Sequence, residues 1–285
     1  MRSREARALA ESALVRLALH LGDHTDSITV IGGLNADLLT DMSQVPHQGT
    51  LDVDLLLQVG LVFDRDENDF GWLQRALTAA GFGLGTEGRG WVWWASIYGA
   101  PVRLDVLCDA PDHPGQELAL PGATGVCAMN LAGPAPALDD VVLRRLVVDP
   151  DDALAVGLPD AAGTTVMLRF AGLGGYVLAK AAAAHHRAEP RDFYDLAFVL
   201  IHNTAGGPVE AAFAAVAALP PHPHTDHVGL LRAGLTALGD IAGSAPWAYA
   251  SQRVADGEAS EPIGLAQDAV SAALLCSAEV DRLLG

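Results

Sequence analysis

The stretch that decides the fold class of this chain is Thr50-Leu51-Asp52-Val53-Asp54-Leu55-Leu56-Leu57. Apolar residues alternate with Asp52 and Asp54, and this period of two is typical of a β-strand. Both carboxylates therefore leave the same face of the strand, roughly 7 Å apart at their Cα atoms. Like charges on one half-buried face are costly unless a cation lies between them, and a pair of Mg²⁺ ions is the commonest chemistry that uses this arrangement. The alternative is an edge strand with a solvated acidic face.

A glycine pair precedes this strand. Residues 27–31 form a short apolar run that predicts another strand, Gly32 and Gly33 follow it, and residues 34–40 predict a short helix. Glycines between a strand and a helix let the backbone approach a phosphate group closely. Alone the pair indicates only a turn. Together with Asp52 and Asp54 on the next strand, it predicts a nucleotide site.

A third carboxylate lies further along the chain. The β-rich runs at residues 90–98 and 102–107 are joined by Gly99-Ala100-Pro101, so they predict a hairpin. Asp105 lies in the middle of its second strand, flanked by Leu104 and Val106. We expect it on the same sheet as the other two acids, the alternative being an ordinary surface residue.

Composition limits the classes of function. The chain has 285 residues and a net charge of −18, which argues against wide contact with a phosphate backbone but allows one local basic pocket. Three cysteines without metal-site spacing predict reduced thiols. The charged start of the chain predicts an amphipathic helix rather than a signal sequence, and no apolar stretch approaches the ~20 residues of a membrane span. These features predict a cytoplasmic protein without a membrane partner.

The second half of the chain is predicted to be mostly helical. Of 17 basic residues only Lys180 is a lysine, and it lies on the predicted helix 173–187. A compact ammonium suits a confined phosphate oxygen, although one lysine can also survive by chance. Pro190 breaks this helix, and a new one carries Asp192 and Asp195 in its first turns, where the helix dipole alone would favour acids.

Further helices are predicted at residues 211–219, 228–241 and 263–284. Residues 111–163 are rich in Pro, Gly and Asp and predict irregular sheet extension and linker. Residues 164–170 predict one more strand.

These motifs together resemble the AbiEii/MenT group of the DNA polymerase β-type nucleotidyltransferase superfamily, whose members are often toxins of toxin–antitoxin systems. The resemblance covers residues 28–200 and rests on Gly32-Gly33, His47-Gln48-Gly49-Thr50-Leu51-Asp52-Val53-Asp54, Asp105, Lys180, Arg187 and Arg191-Asp192-x-x-Asp195-Leu196. It implies an α+β fold, with an N-terminal nucleotidyltransferase-fold mixed sheet and flanking helices followed by a mostly helical C-terminal domain. The expected ranges are 1–115 for the catalytic domain, 116–165 for sheet extension and linker, and 166–285 for the helical domain.

The resemblance also implies roles for single residues. Asp52, Asp54 and Asp105 would bind two Mg²⁺ ions, with Asp105 helping to activate an attacking hydroxyl. Nucleotide contacts would come from Gly32, Gly33, Thr50, Lys180 and Asp192. Asp195 is the less certain acid of its motif.

The implied activity is Mg²⁺-dependent transfer of NMP from an NTP to an acceptor hydroxyl, with release of pyrophosphate. The expected acceptor is a tRNA 3′ end, and a cognate antitoxin is a possible partner. Many relatives have serine where this chain has Leu34, and arginine where it has Gln48, which puts triphosphate binding in question. Two alternatives stay open: transfer to a small molecule of the antibiotic type, which the acidity favours, and a catalytically silent relative that binds a partner.

Overall fold

The computed structural model describes residues 4–40, 47, 50–60, 68–86 and 88–285. The chain forms two compact units that alternate along the sequence. The first unit comprises Met1–Leu34, Gly49–Ala132 and Val141–Phe170, and the second comprises Asn35–Gln48, Gly133–Asp140 and Ala171–Gly285. The domain ranges expected from the sequence stay predictions.

The first unit holds the sheet. Its strands, within the described residues, are β1 Ile28–Ile31, β2 Asp52–Leu57, β3 Gly83–Leu84, β4 Val92–Ile97, β5 Ala100–Cys108, β6 Glu117–Ala119, β7 Cys127–Asn130, β8 Val141–Val147 and β9 Thr165–Ala171. They form one sheet in the order β3-β4-β5-β2-β1-β9-β8, with β7 also pairing with β5 and β6. The sheet is mixed, because β2 runs antiparallel to β1 and parallel to β5. A mixed sheet with flanking helices agrees with the predicted α+β class.

Four helices are described in the first part of the chain: α1 Arg4–Leu21, α2 Gly33–Leu39, α3 Gly71–Ala79 and α4 Pro150–Ala155. The amphipathic helix predicted at the N-terminus is confirmed as α1. Its residues Ala10, Ala13, Leu14, Leu17 and Leu21 are buried at helical spacing, and α1 packs on α3 and on strands β4 and β5. This apolar stripe supplies the packing that holds α1 on the sheet.

The second unit is helical from residue 173 onward. Its helices are α5 Leu173–Arg187, α6 Pro190–His202, α7 Pro208–Ala217, α8 His227–Gly239, α9 Ala245–Ala255 and α10 Pro262–Leu284. The predicted break before Pro190 is confirmed: Ala188 adopts a left-handed conformation with φ 51°, and Pro190 opens α6. A proline suits the first turn because its missing N–H would have no partner within the helix there.

The structure corrects one local prediction and refines another. The hairpin turn consists of Tyr98 and Gly99, with φ 50° and 84°, whereas Ala100 and Pro101 belong to β5 and pair with β4. The expected irregular sheet extension and linker at residues 111–163 contains three regular strands that extend the sheet, β6, β7 and β8, and the helix α4, which was not predicted. Pairing with the sheet stabilises short segments whose local sequence is a weak strand signal.

Helix α10 differs from the sequence expectation about membrane spans. With 23 residues it is long and apolar enough to cross a membrane by length and composition, and part of it is buried inside the protein. Its buried residues include Leu265, Ala269, Ala273 and Cys276, and it packs on α7, α8 and α9. A soluble protein is compatible with this packing, and the cytoplasmic location stays a prediction.

Candidate active site

The sheet register brings two of the three predicted metal ligands to adjacent positions. In the parallel pairing of β2 with β5, Asp54 lies beside Asp105, and Asp52 lies beside Arg103. Residues in register on neighbouring strands project from the same face, and so do residues two apart on one strand. The acids therefore share one face of the sheet, although they come from sequence positions about fifty residues apart.

Burial and charge repulsion within this acid cluster, defined as Asp52, Asp54 and Asp105, both raise the pKa of one member. Burial, together with the negative charges of Asp54 and Asp52, raises the pKa of Asp105 from 3.8 to about 7. The Arg103 guanidinium opposes this rise and does not cancel it. The cluster is therefore short of positive charge, and a bound cation would relieve this shortage.

The sequence reasoning missed Arg103. Its Nε donates to Asp105 Oδ1 at 2.7 Å and its Nη2 donates to Asp105 Oδ2 at 2.8 Å, so it engages both oxygens of the carboxylate. Its guanidinium also lies 5.6 Å from the centre of the Trp91 ring. The sequence could have indicated this ion pair, because Arg103 and Asp105 are two positions apart and therefore lie on the same face of a strand.

The fit of these residues to Mg²⁺ has two sides. Carboxylate oxygens are the ligands that this ion prefers, and the pKa of Asp105 is raised first by burial and then by the negative charge of Asp54, both of which a bound cation would offset. Within the part of the chain that the structure describes, however, no three His, Cys, Asp or Glu side chains are already arranged to hold a metal ion. Arg103 donates to both oxygens of Asp105, so a metal ion at all three acids would share that carboxylate with Arg103 or displace Arg103 from it.

The glycine turn packs directly on the acid cluster. Gly32 follows β1 with φ 86°, a left-handed conformation that favours glycine. A Cβ at Gly32 would overlap Asp54 Oδ2 and lie 2.9 Å from Asp54 Cγ. A Cβ at Gly33 would lie 2.9 Å from Cγ2 of Thr50, whose Oγ1 accepts a hydrogen bond from the Asp52 backbone N–H at 3.1 Å. The glycine pair therefore allows the turn and the acid strand to approach each other.

The close approach at Gly32 leads to a prediction about stability. Gly81 is a matched control, since its φ is 85° and a Cβ there would meet nothing within 4 Å. Gly81→Ala has only the backbone strain, and we expect it to lower the free energy of unfolding by about 1–2 kcal/mol. Gly32→Ala adds an overlap with Asp54, which we expect to cost about 1–3 kcal/mol more. Urea unfolding of both variants measures this difference, and equal losses would contradict the packing argument.

Lys180 lies in the second unit within a buried ion-pair cluster on α5 and α6. Its Nζ donates to Asp195 Oδ2 at 2.7 Å and lies 3.7 Å from Asp192 Oδ1. Arg187 Nη2 donates to the same Asp192 oxygen at 2.7 Å. Asp195, the acid that the motif left less certain, is thus the nearest carboxylate partner of the lysine.

The predicted site residues divide between the two units. Asp52, Asp54, Asp105, Gly32, Gly33 and Thr50 belong to the first unit, whereas Lys180 and Asp192 belong to the second. The lysine cluster consists of Lys180, Arg187, Asp192 and Asp195. That one nucleotide binds to both the acid cluster and the lysine cluster stays a prediction. The position of Gln48 lies outside the described residues. Leu34, which stands where many relatives have serine, is 1% exposed and packs in the hydrophobic core.

Comparison of the chain with family models, with curated proteins and with solved structures gives no match. The assignment of function therefore depends on the chemistry of the two clusters.

Proposed function

We propose that the chain is a nucleotidyltransferase that moves NMP from an NTP to an acceptor hydroxyl, with a nucleotidyltransferase-type fold in its sheet-containing unit. The observation that carries this proposal is the acid cluster on β2 and β5, packed against the Gly32-Gly33 turn. Three carboxylates on one sheet face are costly to a protein that gains nothing from them. Beside a glycine turn, they suit the binding of a cation and a polyphosphate.

The first task of these residues is to bind Mg²⁺ and the triphosphate. Asp52, Asp54 and Asp105 would hold the metal, which when bound neutralises phosphate charge and makes an acceptor hydroxyl more acidic. Gly32 and Gly33 match the phosphate-side glycines of the toxin group, and they allow Asp54 and Thr50 to lie directly against the turn, so that metal and phosphate would be bound close together. Lys180 would contribute an ammonium charge to the leaving pyrophosphate.

Asp105 is suited to a second task, which is handling the proton of the acceptor. The pKa of about 7 belongs to the protein without a cation, and bound Mg²⁺ would lower it, so Asp105 would be an ionised carboxylate that can accept the proton of the acceptor hydroxyl. For this, Arg103 releases at least one oxygen of Asp105 when the nucleotide binds. Arg103 is then available to contact a phosphate oxygen, for which its planar fork of donors is well shaped.

A tRNA 3′ end is the proposed acceptor, as in the toxin group that the motifs resemble. A single 3′ hydroxyl needs only a local contact, which is compatible with a net charge of −18. A cognate antitoxin would be the expected partner of such a toxin. Transfer to a cationic small molecule is the second candidate, and the same strong acidity favours it.

The catalytically silent alternative also has an observation in its favour. The bidentate hold of Arg103 on Asp105 supplies part of the positive charge that a metal ion would bring. In a silent relative this ion pair would replace the metal permanently. The alternative therefore makes a clear prediction, namely that Mg²⁺ does not displace Arg103 and that no transfer occurs.

One assay tests the proposal. The protein is incubated with Mg²⁺, each of the four α-³²P-labelled NTPs and total tRNA, and the products are separated by electrophoresis and thin-layer chromatography. We expect label on tRNA with at least one NTP, and loss of that label when the tRNA 3′ end is first oxidised with periodate. A parallel incubation replaces tRNA with a cell extract, and label on a small molecule there would favour the second candidate. Absence of transfer to either acceptor class would overturn the enzyme assignment.

A further inference from the structure

His47 is a buried residue that takes no part in the reaction proposed above. Its side chain is 0% exposed, and it belongs to the second unit through the segment Asn35–Gln48. Its Nε2 lies 2.9 Å from Asp195 Oδ1, so the ring donates to a carboxylate that is itself 2% exposed. Hydrogen bonds to charged groups are among the stronger ones in proteins.

Aromatic packing fixes the orientation of this ring. His47 stacks on Tyr194 with 5.1 Å between the ring centres and meets Phe198 edge-on at 5.0 Å. Both neighbours lie on α6, as does Asp195. The imidazole is therefore held against one face of α6, with Nε2 directed at Asp195.

Asp195 connects His47 to Lys180. One carboxylate oxygen accepts from His47, and the other accepts from Lys180 Nζ at 2.7 Å. A carboxylate held at both oxygens has little freedom to rotate about its χ angles. The position of the Lys180 ammonium therefore depends on the hydrogen bond between His47 and Asp195, although His47 does not itself bond to Lys180.

We propose that His47 is a positioning residue, which fixes Asp195 and through it holds Lys180 where the ammonium meets the nucleotide phosphates. The part that concerns phosphates rests on the proposed function, whereas the effect of His47 on Lys180 does not. His47 also lies close in sequence to the acid cluster, because it precedes Asp52 by only five positions. One short stretch of chain thus supplies residues to both clusters.

The single lysine of the chain makes the first test independent of activity. The rate at which an amine-specific reagent such as trinitrobenzenesulfonate modifies Lys180 is measured by mass spectrometry of the peptide that carries it. In the native protein we expect slow modification, because the side chain is 10% exposed and ion-paired. His47→Phe keeps an aromatic ring on Tyr194 and Phe198 but removes the donor, and we expect the rate to rise about tenfold, the size expected for losing one charge-assisted hydrogen bond.

Two further variants separate positioning from packing. His47→Gln places a side-chain amide donor near Asp195, and we expect it to bring the modification rate back towards the native value. His202→Phe is the matched control, since His202 also lies on α6, contacts Phe198 at 4.7 Å between ring centres and hydrogen-bonds Tyr249 at 3.2 Å. We expect it to leave Lys180 reactivity unchanged.

Kinetics then tests the link to the nucleotide. We expect His47→Phe to lower kcat about tenfold with a smaller change in KM for the NTP, because Lys180 is proposed to act on the leaving pyrophosphate, and His47→Gln to restore most of this loss. In an Asp195→Asn background, His47→Phe should have no further effect, because the residue through which it acts is already changed. A native protein without transfer activity would overturn only the proposed function. A native modification rate in His47→Phe, or an equal rise in His202→Phe, would overturn the positioning role.

Discussion

Replacing Asp54 by Asn is expected to reduce nucleotide transfer by about a thousandfold or more, because a metal-binding carboxylate supplies several kcal/mol of charge stabilisation. The exchange is nearly isosteric, and Asp54 lies at the centre of the acid cluster, beside Asp105 and against Gly32. We therefore expect the fold to persist while turnover disappears. The measurement is single-turnover transfer with the labelled NTP that the assay identifies. Undiminished turnover in Asp54→Asn would exclude the metal-dependent mechanism.

The same variant has an independent readout in the pH dependence of stability. In the native protein without divalent cations, Asp105 has a pKa of about 7, against 3.8 as the ordinary value. The folded state thus binds a proton that the unfolded chain has released, so the free energy of unfolding falls as pH rises from about 4 to about 7. Each pKa unit corresponds to about 1.4 kcal/mol. Asp54→Asn removes one of the repelling charges, so its stability should fall less across this window. Urea unfolding at pH 4.5 and 7.5 measures this, and identical pH profiles would contradict the repulsion argument.

Replacing Lys180 by Met is expected to be the most destabilising single change considered for the second unit. The ammonium is the donor to Asp195 and lies close to Asp192, both of which are almost fully buried. Removing one partner of a buried ion pair typically costs about 3–5 kcal/mol, because the remaining charge stays desolvated. We expect a loss of this size in urea unfolding, together with loss of transfer.

A second change and a control define what Lys180 does. Adding Asp195→Asn removes the stranded charge, so Lys180→Met/Asp195→Asn should regain part of the lost stability while transfer stays absent. Arg232→Met is the control, since Arg232 and its partner Asp281 in the same unit are 50% and 58% exposed, and such exposed ion pairs contribute about 0–1 kcal/mol. A double variant that regains both stability and transfer would reduce Lys180 to a structural role.

The elements of this fold were largely predictable because their signals are local. The strand at Asp52–Leu57, the strand–glycine–helix unit around Gly32, and helices α5 and α6 with the break at Pro190 all depend on residues within a few positions of each other. Helix α9 was missed, although Pro246 in its first turn was an available start signal. Within residues 111–163 a sheet extension was expected without individual strands, because β6 and β7 are only three and four residues long and β7 also depends on pairing with the distant β5.

The contacts of the candidate site were only partly predictable. Sequence spacing places Asp52 and Asp54 on one face of a strand, but the pairing of Asp54 with Asp105 depends on β2 and β5 being neighbours. The ion pair of Arg103 with Asp105 was within reach of the same spacing rule and was overlooked. The hydrogen bond between His47 and Asp195 joins residues 148 positions apart, and no local pattern indicates it.

What the sequence by itself determined is the set of chemical groups and their local faces: paired aspartates on a strand, a glycine turn before it, and a single lysine on a helix. Those properties follow from side-chain periodicity and backbone sterics, which act over a few residues. Only the tertiary structure decided which charges meet. It set Arg103 against Asp105, raised the pKa of that acid through burial and neighbouring charge, and tied Lys180 to Asp195 and His47. The physical reason is that electrostatic energy depends on distance in space and on burial, and both are settled when distant segments pack together.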